Sequence, residues 1–219
     1  MAVTTSELAV RAPLTRERVL QAAIELADGR DGVEGLSMRK LGQALRVEAM
    51  SLYNHVSNKS DLLSAMLDLV IDEIELPPAD EDWKPALRRT AVSAYITYLA
   101  HPWAANLTLS AGTGARRFAY MEAILGCLRL GGFSAEMTHH AYHALESHIV
   151  GFTLWVVGIT AGLAGMDGQV EDYVARFREP YPYLAEHAEE HLKPRGPDDK
   201  TEFEFGLDLL LDGLERMLG

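Results

Sequence analysis

Three observations predict an all-α fold of about nine to ten helices. Apolar residues recur at three-and-four spacing along most of the chain, no useful stretch alternates apolar and polar residues, and proline or glycine groups separate the periodic segments. The 219 residues are 48% hydrophobic and 24% charged, the balance of a soluble globular protein of one or two domains, which excludes disordered and fibrous classes. No run approaches the ~18 consecutive apolar residues that cross a bilayer. Residues 1–13 lack the basic, apolar and small-residue order of a secretion signal. A cytoplasmic location with no membrane partner is therefore expected. The single cysteine, Cys127, can form neither an internal disulfide nor a multi-cysteine zinc site.

In chain order, a tail over 1–13 leads to a first helix capped by Thr15. Leu20, Ala23, Ile24 and Ala27 share one face of it, and Gly29 and Gly32 end it. Ser37 caps a short second helix with Leu41, Ala44 and Leu45 on its inner side. Arg46-Val47-Glu48 breaks the pattern before a third segment from Ala49 to His55 or Val56. Asn58, with Asp61 three residues on, makes a near capping box for a fourth helix over 59–76, whose apolar stripe runs from Leu62 to Ile74 and stops at Pro77-Pro78. That acidic, proline-containing stretch to Asp82 is the best domain boundary, giving units of 14–76 and 83–219. Further helices are expected at about 83–100, after Pro102, at 115–130, at 134–163, more weakly near 171–192, and at 202–218, with Pro194–Lys200 as a loop. Ala141, Leu145, His148, Phe152, Trp155 and Ile159 form a coiled-coil-like seam, as do Phe203, Leu207, Leu210, Leu214 and Met217. Each seam is open to two readings, subunit core or dimer interface.

Charge is unevenly placed. The total is -12, yet residues 11–60 carry eight basic and six acidic groups, or +2, against 12 basic and 25 acidic groups, or -13, over 61–219. A polyanion would meet only the N-terminal end favourably. Residues 37–56 form a helix-turn-helix pattern there: Leu52 and Val56 point inward with Leu41, Leu45 and Val47, while Met50, Ser51, Tyr53 and Asn54 point out.

The wording of this region is specific. Leu36-Ser37-Met38-Arg39-Lys40-Leu41-Gly42, then Val47-Glu48-Ala49-Met50-Ser51-Leu52-Tyr53-Asn54-His55-Val56-Ser57-Asn58-Lys59, then Asp61-Leu62-Leu63 closely resemble the DNA-binding domain of the tetracycline-repressor (TetR) family over about residues 14–76. Asp82-Trp83, His101-Pro102-Trp103, Gly131-Gly132-Phe133-Ser134, Phe203 to Leu207 and Leu211 to Glu215 resemble, more loosely, the C-terminal domain of the branch nearest the tetracycline repressor. Region 165–200 has no counterpart. The resemblance implies an N-terminal three-helix helix-turn-helix DNA-binding domain followed by a C-terminal helical effector-binding and dimerisation domain. It also implies a homodimeric repressor with two partners, a palindromic double-stranded DNA operator and a small-molecule effector. Ser37, Arg39, Ala49, Met50, Ser51, Tyr53, Asn54, His55 and Lys59 are the DNA-binding residues implied, with Arg39 and the exposed side of 49–53 at bases and Tyr53, His55 and Lys59 at phosphates. Ala49-Met50 departs from the glutamine and proline of the tetracycline repressor. Ala49 cannot make the paired hydrogen bonds to adenine that glutamine makes, so a different operator is expected.

For the effector, the candidates are aromatic, methionine and polar residues of the second unit: Trp103, Asn106, Phe118, Met121, Tyr142, His143 and Glu146. His139, His140, His143 and His148 share one helix at spacings that suit metal ligands, but no carboxylate except Glu136 or Glu146 completes a set, and no metal or cofactor is expected. Gly112-Thr113-Gly114 lacks the preceding strand of a dinucleotide loop. Hydrolase, metalloprotease and phosphate-loop motifs are absent. Two other functions stay open at this level, a helical protein that binds or sequesters a small molecule without binding DNA and an all-α enzyme with His143 and Glu146 as acid and base. The retained Arg39, Tyr53 and Lys59 favour the regulator.

Overall fold

The computed structural model describes residues 13–110, 114–163, 175–176, 178–192 and 201–218, and these hold ten α-helices and no strand. The N-terminal tail up to residue 12, Gly112-Thr113 and the Pro194–Lys200 loop lie outside the described residues.

Helix α1, Arg16–Ala27, starts where the extended Thr15 accepts a hydrogen bond from the Arg18 amide at 3.2 Å, and it buries Val19, Leu20, Ala23, Ile24 and Ala27. Helix α2, Met38–Leu45, is capped in the same way by Ser37, whose Oγ accepts from the Lys40 amide at 3.2 Å. The turn that follows is a Schellman motif. The Val47 amide donates to the Gly42 carbonyl at 2.9 Å and the Arg46 amide to Gln43 at 3.1 Å, with Arg46 left-handed at φ 56°. Glycine is the common residue there, and arginine in that region costs about 1 kcal/mol. Gly42 is needed for a different reason: a Cβ on it would lie 2.9 Å from the Val47 carbonyl oxygen and 3.2 Å from the Ala49 nitrogen. Helix α3, Ala49–Leu52, is one regular turn. The Tyr53, Asn54 and His55 amides continue it with tighter bonds, to the carbonyls of Met50, Ser51 and Leu52, and deliver Val56 to the core.

Helix α4, Lys59–Ile71, is capped by Asn58, whose Oδ1 accepts from the Asp61 amide at 2.9 Å. The return bond expected of Asp61 shifts by one residue, its carboxylate accepting from Ser57 N–H at 2.7 Å. The regular helix also ends at Ile71, five residues before the expected 76. The amides of Glu73 and Ile74 bond three residues back, at 3.2 and 3.1 Å, and that of Glu75 donates to Ser93 Oγ at 2.9 Å. The tightened turn carries the chain onto the next helix while Ile74 stays buried, so the apolar stripe outlasts the helix.

Helices α5 (Trp83–Ala100), α6 (Pro102–Ser110), α7 (Ala115–Leu130), α8 (Ala135–Leu163) and α10 (Glu202–Leu218) fall close to their sequence expectations. Helix α9, Pro182–Leu192, covers the later part of the expected 171–192, of which residues 171–174 and 177 lie outside the described residues and 175–176 are helical. Residues 178–180 form a turn, and Pro182 opens the helix, where its missing amide costs nothing. Helix α8 packs against α5, α6, α7 and α10, making it the axis of the second unit. Arg88 of α5 pairs with Asp208 at 2.8 Å and Glu204 at 3.1 Å of α10, and Lys84 with Asp212 at 2.7 Å and Glu215 at 2.6 Å. Being partly solvated, these pairs align α5 and α10 more than they stabilise them.

The two expected seams belong in large part to the subunit's own core. Ala141, Leu145, Phe203, Leu207 and Leu214 are buried within one chain. Phe203 stacks on Tyr95 at 4.0 Å and on His148 at 4.8 Å.

Gly42→Ala is expected to lower stability by about 1–3 kcal/mol, because backbone rather than a flexible side chain fills the space. Thermal melting measures the loss, and an unchanged melting temperature would show that the α2–α3 contact is looser than described.

Candidate nucleic-acid interface and interior polar cluster

The helix-turn-helix projects a group of side chains from a rigid frame. Leu41 and Leu52 are fully buried and Val56 nearly so, which fixes the angle of the 49–56 segment. Met50 on its outer side is 75% exposed and Tyr53 44%, and Asn54, Arg39 and Lys59 are exposed as well. Arg39 sits in the first turn of α2 and Lys59 is the first residue of α4, beside amides that an anion can approach. Ala49, Ser51 and His55 are half-buried. The Ser51 hydroxyl donates to the Glu48 carbonyl at 2.7 Å, and Ser37 is exposed with its oxygen engaged in the α2 cap.

Arg16, which the sequence did not single out, holds this surface in register. Its guanidinium donates to the His55 carbonyl and pairs with Asp61 at 3.4 Å, so one side chain of α1 ties the end of the recognition segment to the start of α4. The Ser57 amide and then Arg16 hold the Asp61 carboxyl below its usual range. At the other end of α1, Asp28 accepts from Trp103 Nε1 at 2.7 Å and lies 2.8 Å from His101 Nδ1, both at the α5–α6 corner. A carboxylate only accepts, so His101 donates to Asp28 through Nδ1–H, and its Nε2 faces Glu73, beyond α4, at 3.4 Å.

Of the seven sequence candidates for effector contact, Tyr142 and Glu146 enter one interior cluster, with Met121 packed half-buried against the core. Trp103 is buried but turned to Asp28, and Asn106, Phe118 and His143 are exposed. The cluster draws in residues the sequence reading missed: Tyr98 of α5, Thr108 of α6, and Arg117 and Tyr120 of α7. Tyr120 Oη donates to Glu146 at 2.7 Å, and Tyr98 Oη lies 3.4 Å from Thr108 Oγ1. Burial raises the Glu146 carboxyl above its usual range, against the opposing pull of Tyr120 and Arg117. Burial, reinforced by the Glu146 charge, pushes Tyr98 up to about 12 and raises Tyr120 and Tyr142 well above the ordinary tyrosine value. No sequence period marks these residues, because they come from four helices that meet only in the folded chain.

His139 lies 4.6 Å from His143 and 5.5 Å from His140, ring centre to ring centre, but among the described residues no three His, Cys, Asp or Glu converge as a metal-ligand set. Cys127 is buried and its Sγ approaches the Trp83 carbonyl at 3.8 Å. A concavity of about 550 Å³ lies between the 77–83 link and α7, but it is open and away from the tyrosines, so the buried polar groups are the better guide to ligand chemistry.

The raised Glu146 pKa sets a pH dependence. The folded state favours the protonated carboxyl, so its contribution is fully present below the ordinary value of 4.5 and is lost as pH rises through the raised folded value. Glu146→Gln removes that loss. Its melting temperature relative to the unsubstituted protein is expected to climb between about pH 4.5 and pH 8, and melts showing a constant difference would refute the burial of this charge.

Comparison with known proteins agrees with this architecture. The family model described as tetracyclin repressor-like, C-terminal domain, matches residues 76–218. The chain is 32% identical over 216 residues to the HTH-type transcriptional repressor DrrR1 of Streptomyces coeruleorubidus, covering 92% of this chain and 77% of that protein. It is 32% identical over 207 residues to the class C tetracycline repressor protein of Escherichia coli, covering 93% and 92%. Among solved structures, the Streptomyces coelicolor TetR family protein ActR in complex with actinorhodin superposes with a TM-score of 0.71 at 29% identity, covering 95% of this chain and 100% of that one. With a helix-turn-helix at its N-terminus and the matching helical domain behind it, this chain belongs to the TetR family of transcriptional regulators.

Proposed function

We propose that this ligand-responsive regulator is a cytoplasmic repressor that binds a palindromic operator as a homodimer and leaves it when an organic effector enters the core of residues 83–163. Residues 14–76 form the DNA-binding head and 83–219 the effector and dimerisation unit. The observation that carries this reading is the exposed group of Arg39, Met50, Tyr53, Asn54 and Lys59 on a frame whose inner residues are fully packed. Arg39 suits bidentate contact with a guanine, Met50 and Ala49 suit thymine methyls, and Tyr53, His55, Lys59 and the Ser37 end of α2 suit phosphates. Two recognition helices one turn of DNA apart, about 34–36 Å, fit a two-fold operator.

The dimer face is the apolar surface left uncovered on α8 and α10. Phe205, Leu209, Gly213 and Met217 follow one another every four residues along α10, and the three large side chains are exposed. On α8, Gly151, exposed Trp155, Gly158 and Gly162 form a second strip, and a Cβ on any of these three glycines would meet nothing within 4 Å. Small residues beside a tryptophan let a partner helix approach closely, so the pairs from two subunits suit a four-helix bundle.

Effector binding reaches the head by two routes. Helix α4 packs against α1 on the head side and against α5, α6 and α7 on the other. Asp28 adds a polar tie from α1 to the start of α6. A 100-fold loss of operator affinity requires the effector to favour the released arrangement by about 2.7 kcal/mol, and operator then weakens effector binding by the same factor.

Selection of bound fragments from genomic DNA is expected to return a palindrome, and a failure to enrich any sequence would overturn the reading. On that operator, Arg39→Ala should cost about 1–3 kcal/mol at one base pair, while Lys59→Ala should weaken all sequences alike and reduce the salt slope by about one. Identical behaviour of the two variants would refute their separate roles. Leu209→Glu with Phe205→Glu should sediment as a monomer where the unsubstituted chain sediments as a dimer; a dimer in both would place the interface elsewhere.

A further inference from the structure

The interior cluster holds two oppositely charged groups that do not meet. Arg117 Nη1 is fully shielded from solvent and has no hydrogen-bond partner. Glu146 lies near enough for the guanidinium field to act on its carboxyl, yet Arg117 Nη1 finds no acceptor there. A buried guanidinium nitrogen without an acceptor is costly, and the Glu146 carboxylate, with only the Tyr120 hydroxyl bonded to it, has lone pairs to spare. Tyr98, Tyr120 and Tyr142, from three different helices, are all buried within the field of the Glu146 carboxyl.

We infer that this cluster is the recognition site for a hydroxylated aromatic carboxylate, whose carboxylate takes the Arg117 fork and whose hydroxyl donates to Glu146 while its ring lies among the three tyrosines. The inference rests on the ligand-responsive reading above and specifies its chemistry. The planar guanidinium matches a carboxylate with two parallel hydrogen bonds, which a neutral carbonyl cannot use. The ligand's negative charge supplies the acceptor that Arg117 lacks, and its hydroxyl engages an oxygen that no other described side chain occupies. The edges and faces of tyrosine rings suit a flat aromatic body better than a flexible chain. A cationic ligand is disfavoured here, because it would set a second positive charge beside an unpaired guanidinium.

Calorimetry on the full-length protein with 6-hydroxy-2-naphthoate, 2-naphthol and 2-naphthoate tests this, with operator affinity measured in parallel. The hydroxy acid is expected to bind at least about tenfold tighter than 2-naphthol. Arg117→Met and Arg117→Gln, one apolar and one polar, should bring that ratio close to one in whichever variant melts like the unsubstituted protein. Glu146→Gln should leave the carboxylate ratio in place and reduce the advantage of 6-hydroxy-2-naphthoate over 2-naphthoate. No binding at millimolar probe, equal binding of acid and naphthol, or a ratio that survives removal of the Arg117 charge would each overturn the assignment. The two readings fail separately. Acid and naphthol that release operator equally would leave the ligand response standing and remove the carboxylate site, whereas a protein that discriminates the probes without binding any operator would keep the site and remove the repressor.

Discussion

Helix α4 carries more apolar surface than one neighbour can cover, and the arrangement of the whole chain follows from that. Leu62, Met66, Leu67, Val70 and Ile71 are all buried, which requires the head on one side and α5, α6 and α7 on the other. Removing either body would return several of these side chains to water, at about 1.5–3 kcal/mol for each one fully exposed. The two units therefore share a wall, and neither can shift against α4 without repacking it. Close-packed interfaces of this kind move between discrete arrangements and do not deform smoothly, which suits a protein that must choose between bound and released states.

Polar ties give that shared wall its orientation. Arg16 joins α1 to the His55 carbonyl and to Asp61, so the recognition segment and the start of α4 move with α1. Asp28, at the opposite end of the same helix, binds the His101 and Trp103 rings where α5 gives way to α6. Helix α1 is thereby held at both ends by side chains, one end at the helix-turn-helix surface and the other at the body. The tyrosine cluster lies farther into the body, and α6 contributes Thr108 to it and Trp103 to the Asp28 tie. One short helix thus touches both the interior polar groups and the head.

The recognition turn shows how local rules and close packing divide the work. Ser37, Asn58 and Thr15 cap helices as their positions in the sequence imply, because a side-chain oxygen beside a free amide needs no distant partner. Arg46 is held left-handed by the two bonds of its Schellman motif, and the close approach that sets the angle between α2 and α3 falls four residues earlier, at Gly42. The α4 boundary differs for a related reason. The stripe from Leu62 to Ile74 continues past Ile71, but the bond from the Glu75 amide to Ser93 draws the chain off the helical path. An amphipathic stripe reports burial and says nothing of the hydrogen bonds that end a helix.

The sequence by itself determined the helical class, the limits of most helices, the helix-turn-helix and most of its exposed residues, and the family, since each rests on periodicity, caps or a contiguous motif. Tertiary structure alone decided which apolar residues became core and which stayed open. The Phe203 and Leu207 face of α10 turned inward against Tyr95 and α8, leaving Phe205 and Leu209 outside. It also gathered Tyr98, Arg117, Tyr120, Tyr142 and Glu146 from α5, α7 and α8, residues up to 48 positions apart whose shared environment no local pattern records. A helix can show from its own sequence that one side will be buried, but a cluster of buried charges exists only once several helices have packed, because the loss of water that shifts their chemistry comes from all of them together.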